Sequence, residues 1–127
     1  MAVELNHTIV KVRDKHRSAS FYADILGLEG PTTYGPFAVV PLANGVSLDF
    51  AEQDDEVNAQ HYAFLVSEAE FDSIRARIVA RGLAYWADPA RRTANEVNRD
   101  DGGRGLYWED PDGHFLEIIT RPYGSGS

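Results

Sequence analysis

Three side chains stand where their neighbours are apolar: His7 in "NHTIVKV", His61 in "HYAFLV" and Glu117 in "HFLEIIT". Each stretch reads as a strand, and alternation sets His7 with Leu5 and Ile9, His61 with Ala63 and Leu65, and Glu117 with Phe115 and Ile119. Leu116 and Ile118 point the other way, so Glu117 sits in a strand that is apolar on both faces, where an unpaired carboxylate is costly. A lone strand histidine is ordinarily a hydrogen-bonded core or rim residue. Two histidines with a carboxylate on convergent faces have a second use, because neutral imidazoles and a carboxylate form the facial set that leaves open positions on Fe(II) and also suits Mn(II), Zn(II) or Ni(II).

The elements needed to position these groups are legible around them. "EDPDGHFLEI" begins with a turn in which Pro111, Asp112 and Gly113 form a three-residue hairpin loop, with Gly113 in the left-handed position of a bulge. Asp110 then faces His114, and Tyr107 lies opposite Glu117 on the same face of the sheet. The Tyr107 hydroxyl is placed either to donate to a bound oxyanion or to sit at the rim of a packed ring. His114 falls on the opposite face from Glu117 and reads as structural, while His16 begins a helix and reads as exposed.

The chain repeats itself at half its length. "SASFYADIL" reads as a helix stopped by Gly27, and Ser67 with Glu70 forms the capping box of a second helix that buries Phe71, Ile74 and Ile78 before Gly82. His7 precedes Gly27 by 20 residues and His61 precedes Gly82 by 21. "FAVVPL" and "VSLDF" follow the first helix, and "GLYWE" and "HFLEIIT" the second, so both halves read βαβββ. The expected organisation is one domain over 1–127, with a first module over 1–52, a polar linker over 53–60, a second module over 61–122 and a flexible tail over 123–127. If a pseudo-twofold relates the halves, His7, His61 and Glu117 converge on one site.

Composition narrows the class of partner. A chain of 127 residues supports one domain with a real core, and its formal charge of −8 disfavours nucleic acid and anionic membranes, which require clustered Lys and Arg. With no cysteine there are no disulfides, thiolate ligands or cysteine nucleophiles. The N-terminus lacks the apolar run of a signal peptide and no segment approaches a membrane span, so a cytoplasmic protein acting on a small molecule is expected.

In order and spacing, "LNHTIVKVRD", "FYADILGL", "HYAFLVSEAEFDSI" and "YWEDPDGHFLEI" resemble the motifs of the vicinal oxygen chelate superfamily, which includes glyoxalases, bleomycin-resistance proteins, extradiol dioxygenases and fosfomycin-resistance enzymes. The resemblance implies an α+β fold in which paired βαβββ modules form curved mixed sheets around a central cavity. It implies a divalent metal held by His7, His61 and Glu117, a substrate chelated through adjacent oxygens, and a homodimer in which His7 of one chain joins His61 and Glu117 of the same chain or of the other. A dioxygenase-like enzyme is the favoured reading, ahead of a glyoxalase-type lyase or isomerase and of a non-catalytic protein that sequesters an antibiotic. Fosfomycin enzymes match less well, since Ile9 stands where a threonine is expected.

Two further residues are candidates at the edge of this site. Asp49 in "VSLDFAE" is the first-half counterpart of Glu117, and it is expected to act as an acceptor behind the metal ligands or through water, or else to face solvent. Arg104 follows the glycine-rich part of "ADPARRTANEVNRDDGGRG" and is placed to bind a substrate carboxylate or, as the favoured reading, to pair with a nearby acid. That long polar stretch suits a lid with Gly102, Gly103 and Gly105 as pivots, or a solvated loop.

Overall fold

The computed structural model describes residues 2–126, which divide into two compact units between Asn58 and Ala59. In the first unit, β1 (His7–Val12) leads into α1 (Lys15–Leu26), followed by β2 (Thr32–Tyr34), β3 (Phe37–Pro41) and β4 (Ser47–Glu52). In the second, β5 (His61–Leu65) leads into α2 (Glu68–Ala80), followed by β6 (Tyr85–Trp86), β7 (Gly105–Glu109) and β8 (Phe115–Ile119). Both units are therefore βαβββ. Their four-stranded sheets run β1-β4-β3-β2 and β5-β8-β7-β6, each with one parallel pair, β1 with β4 and β5 with β8, and antiparallel pairs elsewhere. Each sheet is an open α+β layer rather than a closed barrel.

Local chemistry explains the helix limits. Asp14 caps α1 by accepting from the backbone N–H of His16 and Arg17 at 3.1 and 3.0 Å, and Gly27 ends it at φ 71°, a left-handed conformation that costs glycine little. The helix starts three residues earlier than "SASFYADIL", because the Asp14 cap recruits Lys15, His16 and Arg17 into the first turn. In α2 the Ser67–Glu70 capping box is complete. Strands β2 and β6 carry little sequence signal, since β2 is exposed throughout and β6 is two residues long.

One face of each sheet is buried in its own unit. In the first, Val10, Val12, Ala38, Val40, Leu48 and Phe50 are buried together with Ala19, Tyr22, Ala23 and Ile25 of α1, and the Tyr22 and Phe50 rings meet edge to face at 4.8 Å. In the second, Leu106, Trp108, Leu116 and Ile118 are buried on the side to which Arg75 of α2 ties Tyr85, with the guanidinium 3.1 Å from the phenol oxygen. Burying each such aliphatic side chain contributes about 1.5–3 kcal/mol. The opposite faces carry His7 and Asp49 in the first sheet and His61, Tyr107 and Glu117 in the second.

Candidate metal centre

Glu117 lies on the second sheet's other face, with Ala63 beside it on β5 and Tyr107 on β7, as the hairpin count requires. The turn that fixes this register is the expected one: Gly113 adopts φ 87°, and the Asp110 carboxylate accepts from the backbone N–H of Asp112 and His114 at 2.9 and 2.8 Å. His114 is fully buried on the helix side, where its Nδ1 accepts from the N–H of Gln60 at 2.9 Å. It is structural, as read, and His16 is exposed.

Glu117 is 1% exposed, and on its Oε1 side stands His61, whose Nε2 lies 3.0 Å away. The other ring nitrogen, Nδ1, is 2.8 Å from the carbonyl oxygen of Phe115. A carbonyl only accepts, so Nδ1 carries a proton, and in the neutral form of the ring the lone pair of Nε2 faces a carboxylate oxygen. Two acceptors at this distance oppose each other until a proton or a cation lies between them. Adjacent ligands on a six-coordinate ion with bonds of about 2.1 Å stand about 3.0 Å apart. The pair therefore fits a divalent metal, and the Nδ1–H bond to a backbone carbonyl is the support that orients metal-binding histidines.

His7 opens β1 across from Ser47 and is exposed. Its Nδ1 lies 2.7 Å from the Asn6 side-chain oxygen, so that in the neutral ring Nε2 is the nitrogen whose lone pair is able to coordinate. Among the described residues no three His, Cys, Asp or Glu side chains are gathered in one place, so the structure brings together His61 and Glu117 but not the whole expected set. Asp49 is the register counterpart of Glu117: Ile9 and Val39 flank it as Ala63 and Tyr107 flank Glu117. It is 9% exposed and accepts from Ser47 Oγ at 2.8 Å, which places it well inside its sheet rather than at a strand end in solvent.

Tyr107 is buried. Its ring stacks on Phe115 at 5.2 Å and lies 6.1 Å from His61, and its hydroxyl is 3.2 Å from that of Tyr123. Tyr123, in the segment expected to be a flexible tail, donates its own proton to Glu117 Oε2. Burial, followed by the hydrogen bond to Tyr123 and the charge of Glu117, raises the Tyr107 phenol far above its ordinary value, and burial with the bond to Glu117 raises Tyr123. Both phenols are neutral near pH 7. Tyr123 is the contact that sequence reasoning missed; its only signal is an aromatic ring directly after Pro122 in an otherwise Gly- and Ser-rich run.

Arg104 is turned away from this face. Its guanidinium pairs with Glu68 and Asp72, both at 2.8 Å, as the ion-pair reading expects, and lies 4.4 Å from the centre of the Phe71 ring. The long loop carries hydrogen bonds of its own. Asp88 accepts from the N–H of Arg92 and Thr93, and bridges join Trp86 to Ala94 and Asn98 to Gly105. A Cβ on Gly103 would come within 2.5 Å of Thr120 Oγ1, and one on Gly105 within 2.9 Å of the Asn98 amide. These two glycines are there for close packing. The loop also holds Arg91 at φ 58°, with its guanidinium 4.4 Å from the Phe115 ring centre and 3.1 Å from Glu109.

The profile of the Glyoxalase/Bleomycin resistance protein/Dioxygenase superfamily matches residues 4–118, and the chain belongs to that family. Among solved structures it is similar to Oxidase ChaP-H2, at 60% identity with a TM-score of 0.97 over 100% of both chains. It is likewise similar to Oxidase ChaP-H1, at 61% identity with a TM-score of 0.95 over 97% of this chain and 99% of that one. A more distant relative is the Glutathione transferase FosA of Serratia marcescens, 30% identical, with 93% of this chain and 81% of that protein covered. No described helix is long and apolar enough to cross a membrane.

Proposed function

We propose that the chain is a divalent-metal-dependent, dioxygenase-like enzyme that acts in the cytoplasm on a small substrate able to chelate through adjacent oxygens. The observation that carries this reading is the His61–Glu117 pair, in which a histidine lone pair and a buried carboxylate oxygen stand 3.0 Å apart with the imidazole already locked from behind by Phe115. His7 completes the set within a homodimer, from the same chain or from its partner. Similarity to two oxidases at 60–61% identity supports oxygen chemistry over the other reactions of the superfamily and favours Fe(II) over Mn(II), Ni(II) or Zn(II).

When bound, the metal would supply Lewis acidity toward the substrate oxygens and open positions for O₂. The chain's own residues prepare the place. Phe115 directs His61 through its carbonyl, the sheet holds Glu117 away from water, and the Phe115–Tyr107 stack walls one side of the site. Protein stripped of metal and resupplied with Fe(II) is expected to bind about one ion per chain and to consume oxygen with a catechol-like substrate. Failure to take up any of the four ions would overturn the proposal, and tight binding of an aromatic drug without turnover would replace it with sequestration.

One observation favours a second reading. The burial of Asp49 at the position corresponding to Glu117 supports a fourth protein ligand, a second carboxylate, which suits glyoxalase-type isomerisation. Direct bonding of Asp49 to the ion in a metal-bound crystal structure would move the assignment there.

A further inference from the structure

Residues 122–125 form a built turn. The backbone N–H and the hydroxyl of Ser125 both bond the Pro122 carbonyl, at 3.1 and 2.6 Å, and the Arg121 guanidinium reaches the Ser125 carbonyl at 3.3 Å. Gly124 takes φ 75°, and Gly126 passes so close to Asp101 that a Cβ there would lie 1.6 Å from its carbonyl oxygen. This turn brings Tyr123 back onto the sheet, where its hydroxyl meets Glu117 although the ring itself remains 62% exposed. A side chain so exposed adds little to the core. Its polar contact is the part to explain.

The two oxygens of Glu117 have separate partners: Oε1 faces His61 and Oε2 receives the Tyr123 proton. A carboxylate without that donor can swing about its terminal torsion and offer a cation either oxygen or both. Each phenol has a single proton. Because that of Tyr123 is committed to an acceptor-only carboxylate, its oxygen accepts from Tyr107, and the chain of donation runs from Tyr107 to Tyr123 to Glu117. Neither proton is left for a substrate oxyanion.

We infer that Tyr123 is a positioning residue for the cation site: its hydroxyl holds Glu117 by Oε2, so that Oε1 and the Nε2 of His61 are the two donors presented to the ion. Tyr107 holds Tyr123 in turn. The inference rests on the metal-binding reading given under Proposed function and adds a residue to it.

The test is the cation affinity of the full chain for Zn(II) and Mn(II), measured by competition with a chromogenic chelator, beside the thermal midpoint of the metal-free protein. Tyr123→Phe is expected to weaken both ions about 10–100-fold, the usual effect of losing a hydrogen bond behind a ligand, while the metal-free midpoint stays where it was. A chain shortened to end at Pro122 should show the same loss, which keeps the inference testable if the Phe variant folds poorly. Affinities of both variants within about twofold of the parent's, against that 10–100-fold expectation, would overturn the role of Tyr123 and leave the metal site standing. A parent protein that binds neither ion overturns both readings together.

Discussion

His61 Nε2 and Glu117 Oε1 stand 3.0 Å apart, acceptor to acceptor when the imidazole is neutral, on a sheet face where the carboxylate has almost no contact with water. Replacing Glu117 by Gln removes the opposition without changing shape, because the amide can donate to Nε2 and fill the same space. The metal-free Glu117→Gln protein should therefore be as stable as the parent or more so, by about 1 kcal/mol, the net worth of one added hydrogen bond. Its metal uptake should fall at least tenfold. Thermal denaturation without metal, set beside equilibrium dialysis with Zn(II), checks both halves, and retained affinity would remove Glu117 from the ligand set.

Asp49 occupies the matching position on the other sheet, but its donor is Ser47 rather than a histidine. Asp49→Asn keeps an oxygen for that hydroxyl and should leave folding intact. On the proposal that Asp49 supports the ligands without joining them, its metal affinity should drop by less than that of Glu117→Ala, on the order of tenfold or below. A loss equal to that of Glu117→Ala would make Asp49 a direct ligand and favour the isomerase reading.

The Asp88 turn gives a prediction about pH. Backbone N–H donors, first that of Thr93 and then that of Arg92, hold the Asp88 carboxyl below the usual range, so the proton is bound more weakly in the folded chain than in the unfolded one. The resulting stabilisation is complete above the unfolded value of about 4 and disappears as pH falls through the lowered folded value. Amide exchange at Arg92 and Thr93 should therefore rise, beyond its intrinsic pH dependence, as pH falls below about 4. Asp88→Asn should flatten that rise, and an unchanged profile would mean that the turn does not depend on the charge.

Gly103 offers a test of packing against hinging. A methyl group there meets the Thr120 hydroxyl, which already accepts from the N–H of Arg104 at 2.8 Å. Gly103→Ala should cost about 1–3 kcal/mol, the range for overpacking a filled site, read as a lower midpoint in urea. A pivot role would instead leave stability nearly unchanged and slow turnover.

What could be read in advance follows the strength of the local physics. Strands β1, β3, β4, β5, β7 and β8 and both helices show in the sequence because alternation and capping are encoded in neighbouring residues. The Tyr107–Glu117 register also follows from three turn residues. Tyr123 does not show, because its position depends on a turn that packs against the distant Asp101, and Gly and Ser composition resembles that of an unstructured tail. The glycines before β7 were equally ambiguous, since sequence does not distinguish a glycine that must bend from one that must make room. His7 is legible as a histidine on an exposed sheet face, but its place in the proposed site is a matter of assembly, which no local pattern encodes.

The two sheets agree in strand order, in the sense of every pairing and in the register that sets Asp49 against Ile9 and Glu117 against Ala63. Such agreement carries the half-length repeat of the sequence into the backbone of both sheets. One sheet sets its carboxylate beside a histidine, and the other carries an acid one methylene shorter that is bonded by a serine. The halves thus serve as each other's control in a mutational scan: a substitution tolerated at a position in one sheet but not at its mate in the other separates what the fold requires from what the site requires.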